Sequence, residues 1–430
     1  MVTVRTRAAR YLAARTRVGV KFGLATMRAL AEALGHPERA YPTTLVAGTN
    51  GKGSVVAYVD AALRASGLRT GRYISPHLQR VNERIAVDGR DIDTRALARV
   101  VDRVRAAAEQ LRRAGRIDDH PTYFEALTAA ALLHFREQAV DFAVLEVGMG
   151  ARLDATNIAR PMASAIVTVD RDHEAFLGQT LAAIAREKAG VLRRGRVTVV
   201  GRLPAEARAA VGLRAERVGA RLVDAEEDVA VTRRGGALAV RTPRHSYPSI
   251  RALAGAHQRD NAVLALRLLE ALEEAGAPVD LDRAGEAFGH ARWPGRLQWV
   301  AGRPPLLLDG AHNPAAARAL ARYLREIGSF VLLFGVLADK DVAAMGRILF
   351  PLARAVVITA APSDRGASPQ EVVERVGAPA ANAVLEADVG RALARARALA
   401  GRMPVVVAGS LYLVGRVLRM TQRAPSRPRQ

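Results

Sequence analysis

The sequence predicts an α/β protein of two domains. Three observations carry this: short apolar runs that alternate with longer helical patterns, a proline–glycine break late in the chain, and a glycine-rich turn between the first strong strand and its helix. Runs 44–47, 142–147, 163–169 and 197–200 read as parallel strands, with helices expected over 55–66 and 180–192. A second series follows at 306–308, 330–334, 355–359 and 405–408, with one helix from Ala315 and another after the last strand. Between the series, Arg292-Trp293-Pro294-Gly295-Arg296 has the composition of a linker. The expected domains are therefore 1–295 and a smaller 296–430. Residues 221–248, with Gly235-Gly236 between alternating runs, predict a β-hairpin appended to the first domain. The last eight residues are polar and contain proline, a tail expected to fray.

Composition narrows the class. Of 430 residues, 50% are hydrophobic and 25% charged, enough to bury a large core and too patterned for a disordered chain. No apolar stretch reaches the ~18 residues that a membrane-spanning helix needs. With no cysteine, disulfides, Cys-ligated metal sites and thiol nucleophiles are excluded. The net charge of +22 raises a nucleic-acid partner, since a basic surface releases counterions from phosphate backbones. The distribution argues against it: only Lys21, Lys52, Lys188 and Lys340 are lysine among 64 basic residues, and the arginines are scattered. Asparagine is equally scarce, a pattern of GC-rich codon drift rather than of heat adaptation, which enriches lysine. A lysine that survives such drift marks a position where an always-charged planar guanidinium cannot serve, chance survival being the alternative. From Met1 to Ala31 there are seven basic residues and no acid, read as an amphipathic surface helix rather than a transit peptide, so a cytoplasmic location is expected.

The strongest local signal is Gly48-Thr49-Asn50-Gly51-Lys52-Gly53-Ser54, directly after a strand and directly before a helix. Such a turn aims backbone N–H groups and the positive helix end at one spot, and Lys52 adds a point charge, so the loop predicts a phosphate cradle for ATP. It departs from the general P-loop spacing, because Val46 stands where the first glycine would be. Ser75, Glu146 and His173 each follow a predicted strand, at the sheet edge where ligands of parallel sheets bind. A hydroxyl, a carboxylate and an imidazole suit magnesium that keeps waters and phosphate oxygens. Taken singly, Ser75 also fits a turn before Pro76, Glu146 an ion pair, and His173 a helix entry.

At this point the sequence resembles the folylpolyglutamate synthase and dihydrofolate synthase group of the Mur ligase superfamily. The resemblance runs from Lys21-Phe22-Gly23-Leu24 to Gly409-Ser410. It rests on the Gly48–Ser54 loop, Ser75-Pro76-His77-Leu78 with Asn82-Glu83-Arg84-Ile85, Thr122 to Glu125, Arg152-Leu153-Asp154-Ala155-Thr156-Asn157, and Asp172-His173. Arg186-Glu187-Lys188-Ala189-Gly190, His257-Gln258 with Asn261, Pro294-Gly295-Arg296, Asp309-Gly310-Ala311-His312-Asn313-Pro314 and Asp339-Lys340-Asp341 complete it. Leu45, Ala151 and Glu174 depart from the common pattern, the last two within the pterin and magnesium loops.

The resemblance implies a P-loop ATPase domain on a mainly parallel sheet plus a smaller Rossmann-like α/β C-terminal domain, closing over ATP. It implies that Gly51, Lys52, Gly53 and Ser54 hold the phosphates, and that Ser75, Glu146 and His173 hold Mg2+. By the same token Asn261, Arg296 and Asp309 would contact ATP, while Thr122, Tyr123, Phe124, Glu125, Leu153, Asp154 and Ala155 would bind the pterin. Lys188 matches a lysine carbamylated by carbon dioxide, and His312 would orient a phosphate or substrate. The implied reaction joins L-glutamate to dihydropteroate or a reduced folate through an acyl phosphate. A monomer is expected, with no nucleic acid and no membrane as partner. The rival readings are a cell-wall Mur-type amino-acid ligase, disfavoured by the Ser-Pro-His-Leu segment and by the lack of a nucleotide-sugar domain before the P-loop, and a basic nucleic-acid-binding ATPase.

Overall fold

In the computed structural model, residues 7–15 and 23–423 are described. They form two compact units, one of Met1–His77, Val81–Leu253 and Gln258–Arg292, the other of Leu78–Arg80, Ala254–His257 and Trp293–Gln430. Two short segments of the N-terminal sequence thus group with the C-terminal unit, a non-local arrangement that a single break at 295 does not contain. Lys21, Phe22 and the polar tail beyond Arg423 lie outside the described residues. Where one N-terminal helix was expected there are two, Arg7–Arg15 and Ala25–Ala33, and the first buries Ala8, Tyr11 and Leu12 on one face.

The first unit is built on eight strands: β1 (Thr43–Ala47), β2 (Thr70–Tyr73), β3 (Ile85–Val87), β4 (Arg90–Asp91), β5 (Phe142–Glu146), β6 (Pro161–Ile166), β7 (Val197–Val200) and β8 (Arg221–Asp224). Their order is β4-β3-β2-β5-β1-β6-β7-β8. The six from β2 to β8 are parallel, and β3 and β4 extend the edge antiparallel. β1 and β5 are buried at every residue, so their polar residues are only Thr43 and Thr44 at the start of β1 and Glu146 at the end of β5, the rest being apolar as for a parallel sheet covered on both faces. The helix after β1, Lys52–Ala65, is buried throughout Gly53–Leu63. From β1 the chain crosses toward β2, and from β6 it crosses the other way toward β7. The carboxyl ends of β1 and β6 therefore flank a topological switch point, where the loops diverge and leave a crevice.

The expected hairpin needs correcting. Arg221–Asp224 is the edge strand of the main sheet, paired with β7. The hairpin itself is β9 (Ala230–Arg234) and β10 (Ala237–Arg241) around Gly235-Gly236, both at positive φ, and β11 (Ser246–Ile250) joins it as a third antiparallel strand. This small sheet is tied to the helix Ala256–Glu274 through Glu270, 1% exposed, which accepts from Thr242 Oγ1 (2.5 Å), Tyr247 OH (3.1 Å) and Arg267 Nη1 (2.7 Å).

The second unit carries β12 (Gln298–Val300), β13 (Leu306–Leu308), β14 (Val331–Phe334), β15 (Ala355–Ile358), β16 (Val384–Leu385) and β17 (Val405–Ala408) in the order β12-β13-β17-β14-β15-β16. All are parallel except β12. Alternate residues enter opposite cores: Leu307, Leu332, Phe334 and Val406 on one face, Leu306, Leu308, Leu333 and Val407 on the other. The sheet is thus wound on both sides. No helix among the described residues is long and apolar enough to cross a membrane.

Glu270 supplies the first prediction. Glu270→Ala leaves Arg267 buried without its acid and the Tyr247 hydroxyl without its acceptor, while Thr242 Oγ1 keeps His245 O at 3.1 Å, so stability should fall by about 3–5 kcal/mol, read as a lowered urea midpoint. Glu270→Gln, which keeps an acceptor, should lose less.

Candidate active site

The loop after β1 is held by the loop after β6. Thr49 N–H donates to Thr168 O at 2.9 Å, Asn50 N–H to Thr168 Oγ1 at 2.9 Å, and Asp170 N–H to Thr49 Oγ1 at 3.0 Å. Gly51 caps the helix at φ 82, and a Cβ there would stand 2.5 Å from Asn261 Oδ1 and 2.8 Å from Val167 Cγ1, so only glycine fits. The amides of Lys52, Gly53 and Ser54 form the first turn of the helix, where intrahelical acceptors are lacking, and with the helix dipole they make an anion cradle. Lys52 Nζ folds back onto the loop, donating to Gly48 O at 3.1 Å and Thr49 O at 3.4 Å.

Gln258 and Asn261, three apart on one helix face, back this loop. Gln258 Nε2 donates to Ser54 Oγ at 3.1 Å, and its Oε1 accepts from Asn261 Nδ2 at 3.2 Å. Gln258 falls inside a motif the sequence offered, but its bond to Ser54 was not expected, and Thr168 and Asp170 were not singled out. The i,i+3 spacing of Gln258 and Asn261 was the available signal for the first; nothing local marks the other two.

Lys188 ends the helix Leu181–Lys188 and is 3% exposed. Burial pushes its ammonium from 10.5 down to about 7, and the charge of Lys52 acts in the same direction against Asp172 and Asp170. A substantial share of Lys188 is thereby unprotonated near neutral pH, and it feels the charge of the cradle lysine. Its neighbour Glu187 clamps the loop after β5: Arg152 N–H donates to Glu187 O at 3.0 Å and Arg152 Nε to Glu187 Oε1 at 3.0 Å.

Ser75 and Glu146 come together at the ends of β2 and β5. Ser75 N–H donates to Glu146 Oε2 at 3.0 Å, and Glu146 is 4% exposed. His173, at φ 54, caps the short helix Glu174–Leu177 beside Asp172, whose Oδ1 lies 3.8 Å from its Nε2. Among the described residues no three His, Asp or Glu side chains gather into a closed ligand set. The structure brings Ser75 and Glu146 together, while His173 stands on the separate loop after β6. Glu174 points to Arg171 at 3.9 Å, and Ala151 is buried.

The expected pterin segments meet at Gly148, where a Cβ would stand 2.5 Å from Phe124 Cζ and 3.0 Å from Asp154 Oδ2. Thr122 and Glu125 spend their side chains on a capping box, Thr122 N–H to Glu125 Oε2 at 2.8 Å and Glu125 N–H to Thr122 Oγ1 at 3.2 Å. They set the helix entry, while Tyr123 and Phe124 are only partly buried. Asp154 accepts from Thr156 Oγ1 at 2.6 Å and Met149 N–H at 3.0 Å; burial raises its pKa against these hydrogen bonds. Leu153 and Ala155 flank it on the turn.

In the second unit, Asp309 holds its own loop, accepting from Leu297 N–H and Ala311 N–H at 2.9 Å each. Arg296 lies against Gly310, and His312 Nδ1 is 2.9 Å from Gly310 O. Arg296, Asp309 and His312 are thus one cluster at the end of β13.

With this geometry, the comparisons fit. The Mur ligase middle domain matches residues 46–269, and the Mur ligase glutamate ligase domain matches 295–411. The fold is that of a Mur-type ligase. A probable bifunctional folylpolyglutamate synthase/dihydropteroate synthase of Haloferax volcanii is 38% identical over 95% of this chain, which spans only 49% of that relative's length. Folylpolyglutamate synthase of Lacticaseibacillus casei is 33% identical, over 90% of this chain and 92% of that one. Among solved structures, folylpolyglutamate synthase of Mycobacterium tuberculosis complexed with ADP superposes with a TM-score of 0.90 at 33% identity, covering 97% of this chain and 98% of that one. A bifunctional folylpolyglutamate synthase/dihydrofolate synthase with Mn, AMPPNP and L-glutamate bound gives 0.86 at 30%, covering 97% and 99%. The chain belongs to the folylpolyglutamate synthase/dihydrofolate synthase family of Mur ligases.

The cradle yields the second prediction. Gly51→Ala forces a Cβ onto Asn261 at a positive φ, a strain of about 1–2 kcal/mol at the loop, so nucleotide affinity should fall at least tenfold by calorimetry while the urea midpoint moves little.

Proposed function

We propose that this chain is an ATP-dependent ligase that adds L-glutamate to dihydropteroate, to reduced folates, or to both, through an acyl phosphate. The observation that carries the reading is the phosphate cradle together with a buried lysine whose pKa is pushed down to about 7 by burial and by the charge of Lys52. The relatives solved with ADP, and with Mn, AMPPNP and L-glutamate, support the same substrates here.

The amides of Lys52, Gly53 and Ser54 would hold the ATP phosphates, with Lys52 turning from the loop carbonyls to the outer phosphate. Asn261, Arg296 and Asp309 are assigned to the nucleotide. Tyr123, Phe124 and the Leu153–Ala155 turn would bind the pterin end, ordered by the Thr122–Glu125 capping box. They would present the substrate carboxylate to the γ-phosphate, and the amine of glutamate would then attack the acyl phosphate and release phosphate. His312 would orient a substrate or phosphate group. These tasks are positioning and charge neutralisation, which dominate phosphoryl transfer. Ser75, Glu146 and His173 would hold magnesium, which screens the phosphates when bound.

Lys188 is assigned a carbamate: its neutral amine adds to carbon dioxide, a proton leaves, and a cation becomes a carboxylate-like anion. Burial beside Lys52 favours that change twice, by disfavouring the ammonium and by attracting the anion. The working unit is taken as a cytoplasmic monomer that needs no nucleic acid.

ADP release with dihydropteroate and with tetrahydrofolate, each with L-glutamate, tests the reaction; no glutamate-dependent release with either would defeat it. For Lys188 the sign is defined. Its folded pKa lies below the unfolded 10.5, so the cost of the buried charge is full below about pH 7 and fades toward 10.5. Bicarbonate activation should therefore appear as pH rises through about 7. Lys188→Arg should lose most turnover and Lys188→Ala should regain part of it with added short carboxylates. Full activity of the arginine variant would defeat the carbamate.

A further inference from the structure

Arg84 stands at the end of the turn Val81–Arg84, just before β3, and its carbonyl accepts from Ile74 N–H at 3.0 Å, one residue from Ser75. The residue is 8% exposed. Its Nε donates to His77 Nδ1 at 2.9 Å, and its guanidinium carbon lies 5.2 Å from the centre of the Tyr123 ring. Because the guanidinium does not give up its proton, His77 Nδ1 must be the acceptor, which leaves the imidazole proton on Nε2.

What is missing is an acid. Buried Arg267 has Glu270 at 2.7 Å, and Arg72 reaches Asp60 at 3.9 Å. Arg193, also without an acid, spends its guanidinium on carbonyls and on Asn157. Arg84 has neither kind of partner: among the described residues its two Nη groups make no hydrogen bond and no ion pair. A guanidinium this deep, held in one plane by an aromatic face and one imidazole, has its fork set for a planar anion before any ligand arrives. Its backbone is bonded one residue from Ser75, which pairs with Glu146, and its guanidinium lies on Tyr123 of the pterin segment.

We propose that Arg84 is a docking residue for a carboxylate of the folate substrate, gripped through its two Nη groups while His77 and Tyr123 fix the plane. The inference rests on the folate reading above. Two carboxylates share this chemistry. One is the carboxylate that accepts the phosphoryl group, which dihydropteroate also has. The other is the spectator carboxylate that only an already glutamylated folate carries. In the second case Arg84 would separate extension of folates from the first glutamylation.

The test uses the full chain as Arg84→Ala and Arg84→Lys, with KM and kcat measured for dihydropteroate and for tetrahydrofolate at saturating ATP and glutamate. Loss of a charge-assisted pair should raise KM roughly ten- to a hundredfold. A rise for tetrahydrofolate alone assigns the spectator carboxylate, and a rise for both substrates assigns the reacting one. Added guanidinium ion should lower the raised KM of Arg84→Ala, a response that loss of packing alone does not give. Should Arg84→Ala not fold, Arg84→Lys carries the measurement, since it keeps the charge and loses the fork. Unchanged KM for both substrates in a folded variant overturns the proposal. Wild-type protein inactive with both substrates would instead defeat the folate reading itself.

Discussion

A buried lysine under the charge of a second lysine in the phosphate cradle sets the terms for this site. Lys52 is fixed by the cradle and Lys188 by the end of its helix, and the burial of Lys188 makes its charged form costly. Such a pair is tolerable if one amine is neutral, or becomes an anion. The neighbouring acids Asp170 and Asp172 pull the other way and do not cancel the burial. The same low-dielectric setting that depresses the amine would strengthen every contact to phosphate once ATP is in the cradle.

The surrounding structure keeps these groups where they are. The β1 loop is locked by Thr168 and Asp170 from the β6 loop, across the point where the chain turns to opposite sides of the sheet. Glu187, next to Lys188, grips Arg152 beside the Leu153–Ala155 turn. The turn after β5 and the helix that ends at Lys188 are thus joined by backbone as well as by an ion pair. A displacement of one is felt by the other.

Much of this was legible in the sequence where the physics is local. Strands 197–200, 306–308 and 405–408 coincide with the observed ones because they are buried on both faces and end at turn residues. The run 163–169 overshoots β6, which stops at Ile166; Val167 and Val169 are apolar because they pack under the glycine loop and the core, not because they pair. The 180–192 helix stops at Lys188 and continues only as a single tight turn. Edge strand β8 was mistaken for part of a hairpin, since parallel pairing with β7 leaves no signature in four half-exposed residues. In the site, the glycine loop, Glu146 and Lys188 stood out by motif and by lysine scarcity. Thr168 did not, because its partner lies more than a hundred residues away; Gln258 and Arg84 fall inside matched motifs, but nothing local shows that they meet Ser54 and His77.

The account turns on Lys188 being an amine that carbon dioxide can modify in the native protein. Carbon-13 NMR of the protein in labelled bicarbonate at about pH 8, where a depressed amine is mostly neutral and an ordinary lysine is not, tests this directly. The predicted result is a carbamate signal in the wild type that is absent from Lys188→Arg. A wild-type protein that shows no such signal, or one that persists in the arginine variant, would contradict the account.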